Sequence, residues 1–116
     1  MNITDLSFVS RGERSTNWNV PPTDDYVAAC ARGDEMAVEY MQYLRFNPGM
    51  KGGNVLGSII ADARPEDNRG YMVGFLGTVE RMMCEALVCR DPVQDLINTR
   101  AFYARAEAEQ EPALAA

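Results

Sequence analysis

RGYMVGFLGTVERMMCEALVC, residues 69–89, decides how the chain is read. Met72, Phe75, Leu76, Val79, Met82, Met83, Ala86 and Leu87 recur at steps of three and four, which winds them onto one broad side of an α-helix. This stretch is the most apolar of the helical segments, and it is expected to be the central helix with that side turned inward. Gly70, Gly74 and Gly77 lie four and three residues apart and share a face. A glycine inside a helix costs about 1 kcal/mol relative to alanine. Three on one side therefore imply a close neighbour, either another helix of the same domain or a second copy at an oligomer contact.

Working upstream, Val55, Leu56, Ile59, Ile60 and Ala63 form a second one-sided stripe, capped by Asn54 and ended by Pro65. The loop before it, Asn47 to Gly53, is rich in glycine. Residues 24–45 read as two short helices or as one long helix with a weak point at Gly33-Asp34, where a glycine can stop a helix and an aspartate cap the next. Thr23 is the expected first cap. Tyr26, Val27 and Cys30 give the apolar face, which continues through Ala37, Val38, Met41 and Leu44 with Tyr40 and Tyr43 beside it. Downstream, Asp91 caps a last helix, Pro92 opens it and Gln94 completes a capping box. That helix is expected to carry Val93, Leu96, Ile97, Ala101 and Ala104 inward before fading through AEAEQE.

The fold class that follows is mainly all-α. It is a compact bundle of four to five helices behind an irregular N-terminal arm, and a short hairpin is allowed within residues 3–20. Residues 1–22 form the arm, 23–110 a single helical domain and 111–116 a loose tail. The 116 residues are 47% hydrophobic and 24% charged, an ordinary globular balance. No stretch has the length and apolarity of a membrane span, and no signal peptide is evident, so a soluble cytoplasmic protein is expected.

Composition also narrows the chemistry. The chain contains no histidine, which removes Ser-His-Asp and Cys-His catalysis and histidine-containing zinc sites. Cys30, Cys84 and Cys89 are odd in number and widely spaced, unlike a disulfide framework or a metal site. The carboxylates cluster at helix starts, where capping and the helix dipole account for them. No enzyme activity, metal or cofactor is expected. The net charge of −6 argues against direct binding to nucleic acid, since Lys51 is the only lysine and arginines supply the remaining cations.

The leading expectation is a non-enzymatic acidic protein that binds and blocks or modulates a larger protein. One with a basic nucleic-acid-binding groove is the specific case, by analogy of size and charge with phage inhibitors of host machinery. Trp18, Tyr40, Tyr43 and Arg45 are the expected contacts, because aromatic and arginine side chains dominate binding hot spots. Asp34, Glu35 and Glu39 would face the basic groove. The alternative is a small homo-oligomer that binds a phosphorylated metabolite or nucleotide. Lys51, Gly52, Gly53 and Asn54 would then hold the anion ahead of a helix start, and Gly70, Gly74 and Gly77 would form the subunit contact.

Overall fold

Asp25, rather than Thr23, caps the first helix. Its carboxylate accepts a hydrogen bond from the Ala28 N–H at 3.1 Å, while the Thr23 hydroxyl accepts from the Asp25 N–H at 3.2 Å. The structure, a computed structural model, describes residues 1–48, 55–89 and 91–115. It is mainly helical, with α1 at Tyr26–Phe46, α2 at Val55–Asp62, α3 at Arg69–Cys89 and α4 at Pro92–Ala115. Near the N-terminus a 3₁₀ turn at Ile3–Asp5 precedes a two-stranded antiparallel hairpin. Ser10–Arg11 (β1) pairs with Ser15–Thr16 (β2) in the register Ser10 to Thr16. Among the described residues no helix is long and apolar enough to cross a membrane.

Internal contacts divide the chain into two units, Met1–Arg81 and Met82–Ala116, with the division inside α3. The first unit contains the buried core. Phe8, Trp18 and Phe75 meet edge to face, with centroids 5.7 Å apart for Phe8–Trp18, 5.8 Å for Phe8–Phe75 and 5.4 Å for Trp18–Phe75. That arrangement sets the positive ring edge against the negative ring face. Leu6, Val20, Ala29, Met36, Ala37, Tyr40, Tyr43, Ile59 and Tyr71 are buried with them. The N-terminal segment is thus a structural layer as well as an arm, since four of its apolar side chains, Leu6, Phe8, Trp18 and Val20, are buried.

Gly33 does not stop α1. The helix runs through it, and the position is buried against α3. A β-carbon at Gly33 would collide with the Tyr71 carbonyl and come within 2.9 Å of the Phe75 N. Conversely, one at Gly74 would collide with the Cys30 carbonyl, and one at Gly70 would stand 2.7 Å from the Tyr26 carbonyl. At Gly33 and Gly74 an α-hydrogen replaces the side chain and points at the facing carbonyl, a weak reciprocal contact that repeats across the crossing. This close approach rotates α1 relative to the sequence expectation. Ala29, Gly33, Met36, Ala37, Tyr40 and Tyr43 face inward, whereas Val27, Val38 and Leu44 are exposed.

Between α2 and α3 the chain turns through Asn68, whose φ of 125° is a conformation that side chains rarely adopt. Two hydrogen bonds hold it there. The Asn68 side-chain amide donates to the Thr23 carbonyl at 2.8 Å, and its oxygen accepts from the Gly70 N–H at 2.7 Å. The second bond caps α3. Nearby, the Tyr71 hydroxyl donates to the Pro21 carbonyl at 2.7 Å. The Asp62 carboxylate accepts from the Asn17 N–H at 2.8 Å. These contacts pin the N-terminal segment to both α2 and α3.

In the second unit the Asp91 carboxylate caps α4 by accepting from the Gln94 N–H at 2.9 Å, as the sequence suggested. The Gln94 side-chain amide donates forward to Asn98 at 2.9 Å instead of turning back toward Asp91. Helix α4 continues to Ala115, so the expected loose tail 111–116 is helical up to that residue. Its apolar stripe is not inward: Val93, Leu96 and Ile97 are each more than half exposed. Ala101 and Ala104 are exposed as well.

Candidate protein-binding surface

The aromatic contacts expected from sequence lie in the core of the first unit. Trp18, Tyr40 and Tyr43 are buried, with Tyr40 stacked on Tyr43 at 6.5 Å between centroids and tilted against Phe75 at 5.8 Å. Burial, aided by the neighbouring Tyr43, raises the Tyr40 hydroxyl above its ordinary pKa of 10.0. An aromatic side chain already packed this way has no free area to give a partner. Arg45 alone of that set is exposed.

The acidic set is committed to contacts within the same unit. The Glu39 carboxylate accepts from the Ser7 N–H at 3.0 Å and from the Ser7 hydroxyl at 2.7 Å. Arg32 pairs with Glu35 at 3.0 Å, approaches Glu39 at 3.8 Å and donates to the Ser7 hydroxyl at 2.7 Å. Asp34 accepts from the Thr78 hydroxyl of α3. These acids anchor the N-terminal turn and the α1–α3 crossing, and Arg32 neutralises part of their charge. One cation stands among three acids, so the patch keeps a net negative charge with its carboxylates tied to their own unit.

The glycine face has a definite occupant over part of its length. The β-carbon positions of Gly70 and Gly74 are taken by α1 within the first unit, while a β-carbon at Gly77 would meet nothing within 4 Å. Lys51, Gly52, Gly53 and Asn54 lie outside the described residues. Among the described residues no group of three or more acids and cysteines could hold a metal ion. Cys30 and Cys84 are free thiols.

The second unit presents what sequence reasoning placed inside. On the last turns of α3, Met82, Met83, Leu87 and Val88 are exposed by between 47% and 86%. On α4, Val93, Ile97, Ala101 and Ala104 share one side of the helix, flanked by Leu96 and Tyr103. All are exposed, and Ala106 is the only half-covered side chain described on that helix. Phe102 and Tyr103 meet edge to face at 5.6 Å, both more than 60% exposed. Around these residues the exposed acids Glu85, Asp91, Asp95, Glu107 and Glu109 outnumber the exposed Arg100 and Arg105.

The periodicity that identified these positions as apolar was visible in the sequence, because it reports a one-sided stripe. It does not report what covers the stripe, and that information is absent from a single helix. No protein-family model, curated protein or solved structure matches the chain.

Proposed function

We propose that the chain is a non-enzymatic interaction protein whose contact element is α4, docking on a larger protein. The exposed apolar stripe of α4 carries this reading. Soluble proteins rarely leave contiguous apolar area uncovered unless a partner uses it. A one-sided stripe on a helix suits an apolar groove, with side chains at i, i+4 and i+8 as anchors. The surplus of acids beside the stripe supplies the specificity, and it calls for basic side chains along the groove. The same surplus disfavours a second copy as the occupant, because like charges would face each other.

The test compares variants for complexes recovered from the natural source by native mass spectrometry. The wild-type chain is expected to retain a stoichiometric protein partner. Leu96→Glu with Ile97→Glu should weaken that complex by about 2 kcal/mol or more, roughly thirtyfold. The thermal transition of the first unit should stay unchanged. Reversing Glu107 and Glu109 to arginine should slow association and flatten its dependence on salt. A partner held equally well by the Leu96/Ile97 variant would defeat the proposal, as would a chain that assembles only with itself.

A further inference from the structure

We propose a second site, independent of α4: a cleft of the first unit that binds a small organic anion with an apolar body. The cleft has a volume of about 610 Å³, within the range of small-molecule sites. Trp18, Ala63, Met72 and Val73 supply an apolar floor, and Arg64 and Arg69 stand on it as the cationic groups. Trp18 is 3% exposed, so its ring is fixed by the core and offers the cleft a rigid edge.

The charges give the ligand its sign. In a chain of net charge −6, the ion pairs formed among the described residues engage only Arg32. Among the described residues Arg64 and Arg69 form no ion pair with an acid, and Arg69 acts electrostatically on the Tyr26 hydroxyl. Arg69 is moreover the first residue of α3, and no acid lies in the first turn. A cation at the positive end of a 21-residue helix is placed against the dipole. Within the cleft itself two guanidinium groups and a helix N-terminus meet no acid, and an anion would balance them. Glu13 and Asp67 line an adjoining hollow that Arg14, Arg64 and Trp18 also border, and Glu66 is exposed in the turn between Arg64 and Arg69, but no acid lines this cleft itself.

A guanidinium fork donates two N–H hydrogen bonds to two oxygens of one planar or tetrahedral anion. The ligand class is accordingly an alkyl or aryl carboxylate or phosphate ester, with its apolar body over Trp18 and Met72. Neither Arg64 nor Arg69 is needed for the core, since both are exposed.

Octanoate, octyl phosphate, octanol and inorganic phosphate are the probes, each titrated into the full chain. Emission of Trp18, the only tryptophan, reports this cleft and the adjoining hollow, and Val73, which lines the cleft and not the hollow, tells the two apart. Octanoate or octyl phosphate should give a saturable change, the tighter of the two identifying the head group. Octanol and inorganic phosphate should each bind about tenfold more weakly or worse. Arg64→Gln and Arg69→Gln should each cost about tenfold, with circular dichroism unchanged. Val73→Glu, which sets an acid against the anion, should abolish the response. Octanol binding as tightly as octanoate, arginine variants that titrate like wild type, or no saturable change up to about 10 mM would each overturn the proposal.

Discussion

Replacing Gly74 with alanine is expected to destabilise the first unit by about 3 kcal/mol or more, the upper end of what overpacking costs. The added methyl would meet the Cys30 carbonyl and lie 2.8 Å from its carbon. Neither is the end of a flexible side chain. Relief requires two helices to separate, which loosens Phe75 and everything packed on it. In a unit of this size such a loss lowers the melting temperature by roughly 10–20 °C. Gly33→Ala should behave alike, because its methyl would meet the Tyr71 carbonyl. Gly77→Ala is the control. With open space around it, it should be neutral or stabilise by about 1 kcal/mol through helix propensity. Thermal unfolding followed by circular dichroism checks all three. A Gly74→Ala protein within about 0.5 kcal/mol of wild type would mean that the crossing is not held by backbone contact.

Deleting residues 1–20 should abolish cooperative folding of the first unit. The deletion removes Leu6, Phe8, Trp18 and Val20, all buried. Burying one large apolar side chain contributes about 1.5–3 kcal/mol, so together they account for roughly 6–12 kcal/mol. Domains as a rule hold only about 5–15 kcal/mol in net stability. The deletion also strips Glu39 of its Ser7 partners and Asp62 of its Asn17 partner. Truncated protein should show no sigmoidal thermal transition and few dispersed methyl signals by NMR. A truncated chain that still melts cooperatively would show that α1, α2 and α3 suffice without this layer.

The helices were legible to different depths, for physical reasons. Helix α3 was bounded from sequence at Arg69 and Cys89 because Pro65 and Asp91-Pro92 punctuate the chain on either side and the apolar period between them is unbroken. Gly33 misled because a glycine carries the same local signal whether it ends a helix or lets a neighbour approach. Only Gly70 and Gly74 on another helix distinguish the two. For the same reason Val38 and Leu44 read as core, whereas the small residues Ala29, Gly33 and Ala37 set the true inner face. A pattern of small residues at intervals of four on both helices was the signal that could have found it. Trp18 and the tyrosines were ambiguous in principle, because the residue types that make hot spots also make cores. The cleft at Arg64 and Arg69 was invisible, since it joins residues from the N-terminal segment, the turn and α3.

Where sulfur reaches solvent, oxidants reach sulfur. Met82 and Met83 are 47% and 59% exposed, whereas Met36 is 1% exposed in the core. Peroxide turns a thioether into a polar, chiral sulfoxide. Mild oxidation should thus alter the surface of the second unit while leaving the interior of the first intact, and peptide mapping of protein aged in dilute peroxide reads that difference directly. The apolar character of this face is therefore a property of the protein's redox history as well as of its sequence.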